Sequence, residues 1–344
     1  SHGVTEISYD TCNCFVTAFK LPDGCTTRAR YDYRSLLPVS ITDPNGNVQE
    51  CLADAFGQVL ATSVYGDKNA TRVGFKPLEQ FDRALFKDPA EAIQSRREAL
   101  QQAATATYYA PFSWMSRVSK AALMDADWLA RCVANRDLLP TGHICASART
   151  RLSNLTVLSV DDEKLKRELH ASVREPMHIT TLVADRYPDD HQKQIRVTKT
   201  CFDGFGRTLQ SKQWVESGMA YVVDANGELT LKDGKPQKQI AATRWRISER
   251  VEYNSKGLAI RIYRPYFADQ HRYINDASLR QFGYYDQQFY DALGRATHTR
   301  LAKRDGLCYL RRLTRHPWYS VDEDENDTLE DVMAEPSSTA GGMA

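Results

Sequence analysis

The sequence predicts a mainly β fold, an antiparallel ribbon of hairpins interrupted by a small helical insertion. Three observations predict it. Short runs rich in Val, Ile, Thr, Tyr and Trp recur along the chain, many of them alternating with charged residues. Turn clusters such as Leu21-Pro22-Asp23-Gly24 and Asp43-Pro44-Asn45-Gly46 separate them. A short pattern, Asp or Asn followed three residues later by Gly, returns at Asp54/Gly57, Asp203/Gly206, Asn254/Gly257 and Asp291/Gly294.

Taken in order, residues 1–82 read as strands joined by hairpin turns. The alternation in Cys12-Asn13-Cys14 is read here as part of a strand, with the two thiols facing opposite ways. Residues 83–139 change character. Asp88 stands where a helix N-cap belongs, Pro89 at the first helical position and Glu91 three residues after the cap, followed by good helix formers. Leu85, Ile93 and Leu100 are expected to share one buried stripe. The stretch from Pro111 to Leu139 is expected to add a further short helix, and Leu139 to Ser147 a loop and a strand. Residues 140–328 return to β, with strand candidates at 150–160, 174–187, 193–202, 207–217, 220–236, 244–253 and 258–267. Residues 161–173 read as a helical turn or charged hairpin, and 329–344 as a flexible tail.

Charge and composition exclude several function classes. The 344 residues carry 45 basic and 44 acidic side chains, so no electrostatic feature points to nucleic acid. No apolar run approaches the ~20 residues that span a bilayer, so direct membrane insertion is not expected. The first ten residues show neither the basic nor the apolar stretch of a signal peptide. The eight cysteines are dispersed and form no C-x-x-C pair, which favours free thiols.

The repeated pattern has a local chemistry. Asp or Asn accepts backbone N–H groups further along the turn, two residues make a type I turn, and Gly supplies the positive φ that closes it. Three of the four units place an aromatic residue first, Phe202, Tyr253 and Tyr290; Ala53 stands in the other. Arg207 and Arg295 follow their glycines onto the outgoing strand. Asp224-Ala225-Asn226-Gly227 is a looser instance. The intervals between units are too irregular for a fixed-period propeller.

Competing readings of these side chains are weaker. The turn carboxylates each sit inside their own motif, and no pair of them is set for acid–base work. The acidic run Asp322 to Asp327 lacks the Gly and Glu positions of an EF-hand. The histidines are scattered, with no zinc, phosphate-loop, dinucleotide or nucleophile-elbow motif, so no cofactor, metal or catalytic residue is expected. Aromatic residues at Trp214, Trp245, Tyr263, Tyr266, Phe267, Tyr284 and Tyr285 would serve a sugar-binding face if exposed, or cross-strand packing if not.

Tyr-Asp-x-x-Gly-Arg, as at Tyr290 to Arg295, resembles the YD or Rhs repeat. The ending His316-Pro-Trp-Tyr-Ser-Val-Asp-Glu-Asp-Glu-Asn-Asp-Thr328 resembles the close of the B component of bacterial insecticidal toxin complexes (Tc toxins). So do the stretches at 31–67 and 250–278, and the likeness covers most of residues 8–328 in the family's order. The helix-rich part, 83–150, matches it weakly. The resemblance implies the C-terminal part of a B component. Such a part is non-enzymatic and belongs to a hollow β shell that a C component completes and whose toxic cargo it encloses. A propeller absent from this sequence would dock the shell on the pore-forming A component. It further implies synthesis in the bacterial cytoplasm and release in an extracellular complex. The alternative is a secreted or surface YD-repeat module that binds carbohydrate or protein.

Overall fold

Tight turns set the architecture, because each returns the chain beside the strand it has just left. A computed structural model describes residues 3–69, 71–86, 88–224, 226–274, 279–281, 283–302 and 308–334. Strand outweighs helix, 41% against 18%, and antiparallel pairing dominates, which makes the fold mainly β. The chain divides into two units, residues 1–110 with 179–198, and residues 111–178 with 199–344.

The first unit is a meander. Strands β1 (Glu6–Tyr9), β2 (Val16–Lys20), β3 (Thr26–Asp32), β4 (Leu37–Thr42), β5 (Val48–Ala53) and β6 (Val59–Lys68) pair antiparallel, each with its sequence neighbour. The far edge of β6 takes β7 (Thr71–Gly74) and β8 (Thr105–Ala110). Between them lie α1 (Pro89–Gln94) and α2 (Arg96–Leu100). Asp88 caps α1 by accepting the Ala90 N–H at 2.9 Å. Ile93 and Leu100 are buried, but Leu85 is exposed, so the expected stripe holds only two of its three members. The unit also takes in most of β9 (Met177–Ala184) and the start of β10 (Ile195–Phe202).

Four helices open the second unit: α3 (Lys120–Leu123), α4 (Ala126–Ala134), α5 (Ala146–Asn154) and α6 (Val160–Ala171). They enclose Trp128, Cys132, Leu138, Ile144, Leu152 and Leu165. A capping box between Ser159 and Asp162 starts α6. The remaining strands are β11 (Thr208–Val215), β12 (Gly218–Tyr221), β13 (Leu231–Lys232), β14 (Lys235–Pro236), β15 (Lys238–Ala241), β16 (Arg244–Tyr253), β17 (Ala259–Tyr263), β18 (Tyr266–Ala268), β19 (Tyr285–Tyr290), β20 (Ala296–Arg300), β21 (Leu310–Arg315) and β22 (Ser320–Glu323). Antiparallel pairing runs β11–β16–β17–β19–β20–β21–β22.

Several expectations are corrected here. Helix extends to Ala171 rather than ending at 139, and β8 lies inside the helical stretch. The supposed strand from Thr150 to Val160 is the end of α5, a loop and the first residue of α6, and the strand expected after Leu139 is replaced by the start of α5. Residues 161–173 resolve as α6 rather than a charged hairpin. Cys12 and Cys14 lie in the turn between β1 and β2, where Asn13 is left-handed at φ 53, so strand alternation does not apply to them. All eight cysteines are free thiols. Part of the expected flexible tail is a helix, α7 (Leu329–Ala334), tied by an Arg312–Asp331 ion pair; residues 335–344 lie outside the described residues.

Candidate functional site

The repeated turns share one geometry. At Asp54, Asp203, Asn254 and Asp291, the backbone N–H of the glycine three residues on donates to the carbonyl of the first residue, at 2.9–3.2 Å. One side-chain oxygen of that first residue accepts two more N–H groups. For Asp54 they come from Phe56 and Gln58 at 2.8 and 2.9 Å, and for Asn254 from Lys256 and Leu258 at 3.0 and 2.9 Å. For Asp203 they come from Phe205 and Arg207 at 2.8 and 3.0 Å, and for Asp291 from Leu293 and Arg295 at 2.9 Å each. Gly57, Gly206, Gly257 and Gly294 have φ between +78 and +81, a region closed to most L-residues. The register slips by one residue beside the turns, at Leu52/Ala53, Glu252/Tyr253 and Phe289/Tyr290, as a bulged hairpin requires. Asp43 and Asp224 build the same turn.

The second carboxylate oxygen takes the arginine. Arg207 Nε lies 2.6 Å from Asp203 Oδ2, and Arg295 Nε 2.7 Å from Asp291 Oδ2. Hydrogen bonds from the Arg295 amide and guanidinium hold the Asp291 carboxyl below its ordinary value. At Asp203 burial works the other way, and the Arg207 bonds outweigh it.

The aromatic residue ties one unit to the one before it. The Tyr253 hydroxyl donates at 3.0 Å to the carbonyl of Thr208, five residues after Asp203. The Tyr290 hydroxyl donates at 2.7 Å to the carbonyl of Ala259, five residues after Asn254. In the first unit of the fold, Tyr109 donates at 2.9 Å to Val59, five residues after Asp54, without an Asp of its own. Arg207 lies 4.4 Å from the Tyr253 ring centroid, and Lys256 Nζ reaches the Ala292 carbonyl at 3.0 Å. The turns at 203, 254 and 291 therefore form a row of mutually bonded corners. Phe202, which opens the turn at 203, ends β10 half-buried.

Two further units escaped the sequence reading because neither has glycine. At Tyr9-Asp10 the left-handed place is taken by Asn13, and at Tyr31-Asp32 by Leu36 at φ 57. Asp10 accepts from the Cys14 and Phe15 amides at 2.7 and 2.8 Å. The Leu36 N–H donates to Asp32 at 2.8 Å. The Tyr-Asp pair itself was the available signal.

A second cluster lies on the covered face of β10, β11 and β16. Lys199, Gln210, Lys212 and Arg250 are almost completely buried. Lys199 pairs with Glu175 at 2.7 Å, Lys212 donates to the Arg272 carbonyl, and Gln210 accepts from the Ile274 N–H at 3.2 Å. Glu252 accepts from Tyr263 at 2.5 Å and pairs with Arg261 at 2.9 Å and Arg280 at 3.1 Å. These partners fasten Arg272 to Ile274, and Arg280, onto the sheet. Burial lowers Lys212 to about 7 and His271 to about 4. No group of His, Cys, Asp or Glu suited to a metal ion occurs among the described residues. Most of the aromatic residues considered for a sugar face are packed: Trp214 stacks on Trp245 at 6.0 Å, and Tyr263 meets Tyr285 at 5.2 Å.

Comparison with known proteins agrees with this geometry. No family model and no curated protein matches the chain. Among solved structures it is similar to the crystal structure of TcdB2-TccC3 without hypervariable C-terminal region, at 32% identity and a TM-score of 0.82 over 96% of this chain. It is likewise similar to the structure of the Photorhabdus luminescens Tc holotoxin pore, at 32% identity and a TM-score of 0.81 over 99% of this chain. It spans 15% of the length of each of those chains. On these grounds the chain is a Tc toxin B-component-like region.

Proposed function

We propose that this chain is a non-enzymatic part of the wall of a Tc toxin shell. It partners a C component that completes the shell, and it encloses toxic polypeptide for delivery through an A component. The observation that carries the reading is the row of bonded corners from Asp203 to Gly294, together with the likeness to TcdB2-TccC3. Such a row makes a continuous sheet of hairpins in which each unit is held by the next, and a wall works by excluding proteases and solvent. Among the described residues no helix is long and apolar enough to cross a membrane. Release within an extracellular complex belongs to the same reading.

The test is a chimera in which this chain replaces the equivalent region of the B component in a TcdB2-TccC3 pair. The expected result is a closed particle by electron microscopy with cargo resistant to added protease. A closed particle whose cargo is digested as fast as free cargo would overturn the reading. A surface module that binds carbohydrate is favoured by one feature, Trp318, which is 95% exposed beside Tyr319. Strong, saturable hits on a glycan array, lost in Trp318→Ala, would support that module instead.

A further inference from the structure

The ladder between β20 and β21 is short. It holds three pairs, His298↔Arg312, Thr299↔Arg311 and Arg300↔Leu310. Toward the turn at Asp291, β20 stays paired with β19 as far as Ala296, and β21 stays paired with β22 as far as Arg315. The two strands therefore part between Thr297 and Leu313, and a groove of about 860 Å³ opens there. An Arg315 guanidinium N–H bonds the Ala296 carbonyl across the gap, a side chain standing where a ladder bond would be.

The groove is cationic. Arg295, Arg300, Arg312 and Arg315 line it. Asp291 pairs with Arg295, and Asp331 with Arg312. Arg300 and Arg315 have no carboxylate partner among the described residues. The field is felt by His298, whose pKa is lowered by burial and then by Arg300 and Arg312. The floor is partly apolar, with Leu310, Leu313 and Val332.

We propose that this wedge binds an extended acidic peptide segment of a partner protein. The peptide main chain would extend the opened ladder, and its carboxylates would meet Arg300 and Arg315 in the paired geometry guanidinium favours. Open strand edges and an apolar floor select a polypeptide over other polyanions, because only a polypeptide can match main-chain donors, acceptors and side-chain contacts together. Charge complementarity selects acidic over neutral sequences. The inference does not depend on the shell reading and holds for a wall segment or a binding module alike.

The test uses the full chain and a fluorescent peptide of about ten residues alternating Glu and Val, long enough for one strand. Anisotropy should show saturable binding, weakened by about tenfold or more when every Glu becomes Gln or in Arg300→Gln/Arg315→Gln. Hydrogen exchange at Ala296 and Leu313, whose backbone groups face the gap, should slow in the complex. A peptide of the same charge, N-methylated at alternate residues, should lose binding, and this control needs no protein variant. Equal binding of the Gln peptide would remove the electrostatic half of the proposal, and equal binding of the N-methylated peptide the strand-addition half. Absence of saturable binding, or displacement by heparin without exchange protection, overturns it entirely. The chimera can fail while this binding persists, so the two proposals fail separately.

Discussion

The Tyr290 hydroxyl donates to the Ala259 carbonyl at 2.7 Å, so the residue that opens one turn unit is bonded to the strand leaving the previous one. Tyr253 repeats the relationship with Thr208. In the Tyr-Asp pair the aspartate thus shapes its own turn, while the tyrosine fixes the position of that turn against its neighbour. The local motif and the long-range order of the sheet meet in two adjacent residues.

Tyr290→Phe keeps the ring and deletes the bond to Ala259 and the one to the Gln288 side chain at 2.6 Å. The expected loss is about 1 kcal/mol, the net worth of such bonds. Urea unfolding should show a lower midpoint with an unchanged slope. Tyr253→Phe should add its own loss nearly independently, because the two hydroxyls bond different strands. An unchanged midpoint in both variants would refute the stapling role.

The turns predict a graded series. Asp54→Asn should be nearly neutral, because Asn254 already does the same work with an amide oxygen. Asp54→Ala leaves two turn N–H groups without their acceptor and should cost about 1–2 kcal/mol. Gly206→Ala meets no neighbouring atom, so its cost is the positive φ alone, about 1–2 kcal/mol. Gly257→Ala should cost more, since its Cβ would lie 2.5 Å from an Arg207 guanidinium nitrogen and push Arg207 off Asp203 and Tyr253. Thermal midpoints rank the four variants, and Gly257→Ala more stable than Gly206→Ala would contradict the row of bonded corners.

These turns were legible in the sequence because a positive φ nearly demands glycine, and the capping Asp or Asn sits at a fixed distance from it. Tyr9-Asp10 and Tyr31-Asp32 were not, because Asn13 and Leu36 accept the same backbone region without announcing it. The strand around Lys199 and the strand around Lys212 read correctly as strands with alternating charge. Their polar faces are nevertheless buried, since a distant segment carrying Arg272 and Ile274 supplies the partners. Periodicity reports alternation but not which face a later loop will cover. The second half of helix α5 reads as strand together with the Leu, Thr and Val residues that follow it, and packing of Ala148 and Leu152 into the helical cluster overrides that preference.

Glu252 should be the least replaceable side chain of the covered face. It is 5% exposed and accepts from one tyrosine and two arginines. Burial raises the carboxyl's pKa, but Tyr263, Arg280 and Arg261 outweigh it and hold it below its ordinary value. Glu252→Gln keeps the shape and removes the charge that balances Arg261 and Arg280, so a loss of about 3 kcal/mol is expected. Denaturant unfolding measures it, and a change within experimental error would show that the network contributes only packing.

Acid should loosen the segment that covers β10 and β11 before it melts the turns. Burial alone would raise Glu175, but Lys199 and the Tyr273 N–H bring it to about 2, below its ordinary value of 4.5. Its contribution is full above pH 4.5 and is lost as pH falls toward 2. His271 is lowered by burial, and next by Lys199, to about 4 from 6.5. The folded protein therefore binds fewer protons than the unfolded chain between pH 6.5 and 4, and stability falls as pH falls through that window. Lys212, lowered by burial to about 7 from 10.5, acts in the same direction between pH 10.5 and 7. Thermal midpoints should thus decline from alkaline to acid pH, with hydrogen exchange near Arg272 and Tyr273 accelerating first. Lys212→Met removes the titrating group, so the decline between pH 10.5 and 7 should flatten in that variant. A variant that retains the full slope there would show that Lys212 is charged in the folded protein and that other groups carry the dependence.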